Sequence, residues 1–177
     1  LLFLFISGGG VGKTSIVTQL IENYFVPQYD PSIENIFKTT MIVDDQDYLL
    51  DIVDTAGQPE YSSLTDPWYS LGNAFLVIFA INDLNSFNQV PTFIEKIKES
   101  QKDHNAPIVI VGNKSDCFSR VSIEEINNMI NEHRVGFIHT SAMAKQNINK
   151  LFQIVVKLMR DNNKTEIIKK KKDDAIF

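Results

Sequence analysis

At 177 residues, 44% of them hydrophobic and 22% charged, the chain is an ordinary soluble globular protein, long enough for one domain with a proper core. Its net charge of −5 is uneven: Lys164 and Lys169 to Lys172 against Glu166, Asp173 and Asp174 leave 164–177 at +2, so residues 1–163 carry −7. A basic tail on an acidic body argues against nucleic acid as a partner.

The first strand-like run is "LLFLFI" (1–6), which has neither the length nor the basic flank of a signal peptide. Its start on Leu1 rather than Met reads as that of a trimmed chain. "SGGGVGKTS" (7–15) follows at once, with a helix expected to begin near Lys13. Further strand-like runs are "IFKTTMIV" (36–43), "YLLDIVD" (48–54) and "AFLVIFAI" (74–81). Pro91 marks the first turn of a helix over 91–101. "PIVIVG" (107–112) precedes "SIEEINNMI" (122–130), where Ser122 and Glu125 stand in capping-box relation ahead of Ile126, Met129 and Ile130. After "GFIHT" (136–140), Ile148, Leu151, Phe152, Val155 and Met159 recur at helical spacing. The runs at 74–81 and 107–112 lack polar alternation, as strands covered on both faces do. The alternation predicts one α/β domain, a mostly parallel sheet with helices on both faces and no internal repeat. Ligands of such sheets bind beyond the carboxyl ends of the strands, where "SGGGVGKTS" falls.

A glycine-rich turn between strand and helix lets backbone N–H groups wrap phosphates, and the helix N-terminus adds its dipole. Gly12, Lys13 and Thr14 close the pattern G-x-x-x-x-G-K-[ST]: Lys13 would reach the β- and γ-phosphates and the Thr14 hydroxyl would hold Mg²⁺. Its first glycine is replaced by Ser7, while Gly8, Gly9 and Gly10 supply flexibility. Taken alone this could be a glycine-rich turn with a chance lysine. "DTAGQ" (54–58) puts Asp54 at a strand end, where a carboxylate can hold magnesium through water. "NKSD" (113–116) offers an aspartate that can accept both N–H groups of guanine, a donor pair adenine lacks. "TSAM" (140–143) can give a backbone N–H to the base carbonyl. Each has a bland reading as a loop, but all four lie in order, each after a different strand, and together they point to a guanine nucleotide.

Over Leu1 to about Asp161 the sequence resembles a Ras-type small GTPase. "YDPSIEN" (29–35) resembles the first switch of Ras, Rap and Rheb proteins, and "DTAGQPEYSSL" (54–64) the second. The resemblance implies the P-loop NTPase G-domain fold: a six-stranded sheet, five helices, and a domain over 1–161 followed by a basic tail, 162–177. It implies Mg²⁺-dependent GTP hydrolysis, with Gln58 orienting the attacking water, Gly57 bonding the γ-phosphate and Lys13 acting on the phosphates. Phe25, in "ENYF", would stack on the guanine, and Gly9 sits where a side chain would obstruct an incoming arginine finger. The implied nucleotide-binding set is Gly8, Gly9, Gly10, Val11, Gly12, Lys13, Thr14, Ser15, Phe25, Tyr29, Ser32, Gly57, Asn113, Lys114, Asp116, Ser141, Ala142 and Met143. The implied metal set is Thr14, Ser32 and Asp54. Effectors would engage 29–37, and exchange factors and GTPase-activating proteins 54–69, on a monomer.

Four residues depart from the family pattern: Ser7 for glycine, Ser32 for threonine, Pro59 after Gln58, and Met143 for lysine. None removes a group the chemistry requires. His104, His133 and His139 show no ligand spacing. Trp68 is expected between the second-switch helix and the sheet. Cys117, the one cysteine, excludes a disulfide framework, favours a reducing compartment and reads as a small filler. No apolar run approaches a membrane span. The ending "DAIF" puts Asp174 where a prenylation box would have its cysteine. Lys169 to Lys172 would supply ~4 kcal/mol of weak adhesion to an anionic membrane before Asp173 and Asp174 subtract, but the run reads more simply as a solvated helix end. The reading is a cytoplasmic GTP/GDP switch with Mg²⁺, reaching the inner plasma membrane or an endomembrane only if a longer native chain is lipidated. Its rivals are a pseudo-GTPase interaction module, which Gln58, Thr14 and Asp54 oppose, and a P-loop nucleotide kinase, for which no second substrate domain or lid is visible.

Overall fold

In the computed structural model residues 1–25, 34–55, 62–101 and 106–173 are described, with the side chains of residues 34, 62–66 and 163–173 excepted. A short apolar run builds the centre. Strand β1 (Leu2–Ile6) turns Phe3 and Phe5 to one face of the sheet and Leu4 and Ile6 to the other, and all four are buried. A strand covered on both faces has no use for polar alternation, which is why the run reads as continuous.

Helix α1 (Lys13–Ile21) follows, then β2 (Glu34–Val43) and β3 (Gln46–Thr55) as a hairpin turning on Asp44 and Asp45, both at positive φ. Next come α2 (Ser62–Leu71), β4 (Ala74–Ala80), the short α3 (Leu84–Asn88), α4 (Val90–Ser100), β5 (Ile108–Asn113), α5 (Ile123–His133), β6 (Gly136–His139) and α6 (Ile148–Asp173). The sheet order is β2-β3-β1-β4-β5-β6; only β2 runs antiparallel to its neighbour. The six expected strands are present, within two residues of their expected ends. The expected helices are present too, and the single-turn α3 is an addition, running into α4 through Gln89. Pro91 occupies the first turn of α4, and the Ser122–Glu125 capping box starts α5, with Glu125 N–H donating to Ser122 Oγ at 3.2 Å.

Two clusters sandwich the sheet. Ile16 and Val17 of α1 and Leu151, Phe152 and Val155 of α6 pack with Phe3 and Phe5, whose rings lie 6.3 and 5.9 Å from that of Phe152. On the other face, Tyr69 of α2, Phe87 of α3, Ile94 and Ile97 of α4 and Ile126 of α5 cover Leu4, Phe75, Val77 and Phe79, with Trp68 packed against them as expected. The hairpin tip is tied to α6 by Asp44, which takes Lys157 and Arg160, each at 2.8 Å; these two cations hold its carboxyl below the usual range.

Strand β1 lies between β3 and β4: the connection that leaves it runs through α1 to the β2–β3 hairpin on one side, and the one that leaves β3 runs through α2 to β4 on the other. That reversal opens a crevice at the carboxyl end of β1, and the loop 7–12 occupies it.

Candidate functional site

The loop gets its shape from two glycines. Gly10 has φ +74° and Gly12, the residue capping α1, has φ +94° in the left-handed region that side chains avoid. A Cβ on Gly12 would also lie 2.5 Å from Asn113 Nδ2. Ser7 is not among the positive-φ residues, so its position does not require glycine.

Lys13 lies inside the loop at 7% exposure, its Nζ donating to Ser7 Oγ at 2.9 Å and to the Gly8 carbonyl at 3.3 Å. Burial pushes its pKa down and the Asp54 carboxylate pushes it back up. Thr14, the next residue, donates its hydroxyl to Asp54 Oδ2, and Asp54 is fully buried at the end of β3. A hydroxyl and a carboxylate oxygen side by side are hard donors of the kind Mg²⁺ takes alongside phosphate oxygens and water. The residues present therefore fit that ion.

Two further strand ends close the crevice. Asn113, the last residue of β5, donates from Nδ2 to the Val11 carbonyl at 2.8 Å and accepts from Thr140 Oγ1 at 3.1 Å. Lys114, at φ +62°, reaches across to the Gly10 carbonyl at 2.8 Å. Asp116 is exposed and accepts the Ser141 hydroxyl on Oδ1. That bond is the main reason its pKa lies below the carboxylate norm, so at neutral pH it is an acceptor only. Ser141 also accepts the Ala144 N–H at 2.9 Å, and its backbone pairs with Gln146 on both sides. The three loops at 7–14, 113–116 and 140–143 are thus cross-linked to one another.

Of the residues singled out from sequence, Gly8, Gly10, Val11, Lys13, Thr14, Asp54, Asn113, Lys114, Asp116 and Ser141 are joined by these hydrogen bonds. Phe25 is half-buried against the α1–α6 side of the core, and Met143 is 66% exposed. Tyr29, Ser32, Gly57, Gln58 and Pro59 lie outside the described residues, as does His104. Cys117 is a correction: its side chain is exposed beside Asp116, 3.6 Å from Oδ2, and fills no space. The slight desolvation of the thiol and the Asp116 charge beside it raise its pKa, which disfavours the reactive thiolate.

Sequence reasoning passed over Gln19, Thr140 as a side chain, and Gln146. Buried Gln19 donates to the Ala142 carbonyl at 2.7 Å, and Gln146 Oε1 accepts Ser115 Oγ at 3.0 Å. Only Thr140 carried a signal, the polar residue that ends the apolar run before "SAM".

A strand, a glycine-rich loop with a lysine folded into it, and a helix, set at the reversal point of a mostly parallel sheet, define a P-loop nucleotide-binding domain. The chain belongs to the Ras family, whose family model matches residues 3–161, and is by kind a small GTPase. No helix among the described residues is long and apolar enough to cross a membrane.

Proposed function

We propose that the protein is a guanine-nucleotide switch that binds GTP and GDP with Mg²⁺ and hydrolyses GTP to GDP and phosphate. The observation that carries this reading is the cluster of Lys13 inside the loop with the Thr14–Asp54 pair beside it. Asp116 supplies the base selectivity: an ionised acceptor, on a loop that Lys114 ties to Gly10, suits the N–H pair of guanine. In this reading backbone N–H groups of 8–15 and Lys13 Nζ hold the phosphates, and Thr14, Ser32 and Asp54 hold Mg²⁺. The metal, when bound, neutralises charge developing between the β- and γ-phosphates. Gln58 orients the water that attacks γ-phosphorus, and Gly57 bonds the γ-phosphate. Phe25 and Met143 flank the base.

Residues 29–37 and 54–69 carry no arginine, so intrinsic turnover is slow and a partner's arginine accelerates it. These segments serve effectors (29–37) and exchange factors or activating proteins (54–69) on a monomeric, cytoplasmic domain over 1–161. The lysines of the tail, 162–177, give weak contact with anionic membranes.

Single-turnover GTP hydrolysis, with and without a Ras-type activating protein, tests the reading. Gln58→Leu retains nucleotide affinity and slows hydrolysis, because the side chain acts on the water. Equal rates for the two proteins would favour the pseudo-GTPase.

A further inference from the structure

We infer that Ser7 is a positioning residue that aims the Lys13 ammonium at the β- and γ-phosphates. The inference rests on the guanine-nucleotide reading. Its basis is a hydrogen-bond triangle in which every polarity is forced. An ammonium has no acceptor and a carbonyl no donor. The Ser7 hydroxyl must therefore donate to the Gly8 carbonyl, at 2.6 Å, and accept from Lys13 Nζ, at 2.9 Å. The Lys13 ammonium also reaches the Gly8 carbonyl, at 3.3 Å. Two of its three N–H groups are thus directed by the loop itself, and a third is what a phosphate oxygen takes.

A lysine is a compact charge on a flexible four-carbon stem, and holding it costs rotamer freedom. With glycine at position 7 the loop could offer it backbone carbonyls alone. Ser7 adds a side-chain anchor that is itself locked, being 4% exposed and tied to Gly8. The position tolerates a side chain because its φ is ordinary. The serine that breaks the glycine pattern therefore acts through Lys13, on the phosphate end of the ligand and not on the base.

Titration of wild type, Ser7→Ala and Ser7→Gly with GDP, a non-hydrolysable GTP analogue and GMP tests this, with thermal melts of each protein. Both variants bind GDP and the GTP analogue about tenfold more weakly, while GMP, which has no β-phosphate, binds within twofold of wild type. Ser7→Gly carries the residue of the general pattern and keeps the test open if Ser7→Ala folds poorly. Equal losses for all three nucleotides would reduce Ser7 to a structural support and overturn the inference, as would unchanged affinities. A wild-type protein that binds none of the three overturns the guanine-nucleotide reading, and the Ser7 assignment with it.

Discussion

Asn113 stands 102 residues from Val11 in the chain, and its side-chain amide donates to the Val11 carbonyl at 2.8 Å. The same side chain accepts from Thr140 at 3.1 Å, and is buried while doing so. One amide therefore holds three loops in register. Asn113→Ala leaves the Val11 carbonyl and the Thr140 hydroxyl without this partner, at about 1–3 kcal/mol for each buried group left unsatisfied. The expected outcome is a joint loss: a lower urea midpoint for the free protein and much weaker GDP binding. A variant with wild-type stability and weak binding would make Asn113 a direct ligand contact and not a tie.

Asp116 should behave in the opposite way. It is exposed, so Asp116→Asn costs the fold little, and Ser141 retains a side-chain acceptor. What changes is the base contact, because an amide cannot accept two N–H groups as a carboxylate does. A hydrogen bond to a charged group is worth about 1.5–3 kcal/mol, so GTP and GDP affinities should fall tens-fold. Competition between GTP and ATP measures it, and a ratio unchanged in the variant would remove Asp116 from the base site.

The two positive-φ glycines of the loop separate backbone strain from steric contact. Gly10 has open space around an added Cβ, so Gly10→Ala meets only the left-handed penalty, about 1–2 kcal/mol. Gly12 carries the same penalty, and its Cβ would strike Asn113 Nδ2, the group that holds Val11. Gly12→Ala should therefore lower the urea midpoint distinctly more than Gly10→Ala. Equal midpoints would mean that Asn113 moves aside at no cost.

The contrast between these residues shows what a sequence carries. Strand β1 and the loop after it were legible because burial on both faces and left-handed turns leave local marks: an unbroken apolar run and clustered glycines. The capping box at Ser122 and Glu125 was legible for the same reason. The lattice behind the loops was not. Gln19 to Ala142 spans 123 residues and Asn113 to Val11 spans 102, and a hydrogen bond across such a gap imposes no periodicity on either partner. Ser7 was visible as a departure from a pattern, yet its partner became visible only when Lys13 was seen folded back on it. Cys117 was misjudged because small size says nothing about which way a loop residue faces.

His139 gives the pH prediction. It ends β6, half-buried, with its ring at 82° to that of Phe137, 4.6 Å between centroids, and Nδ1 close to Gly112. Burial lowers its pKa below the ordinary 6.5, and the backbone of Gly112 offsets this only in part. The folded protein therefore favours the neutral imidazole, while the unfolded chain takes a proton near 6.5. The unfolded state binds more protons as pH falls, so this residue's contribution is intact above 6.5. It declines as the pH drops through that value and is lost below the folded-state pKa. Thermal melts from pH 8 to pH 5.5 should show wild type losing more stability than His139→Gln, which cannot titrate. The imidazole resonances of the folded protein should titrate with a midpoint below 6.5. A midpoint at or above 6.5 would mean that the site stabilises the charged ring, and the predicted loss of stability with acid would not occur.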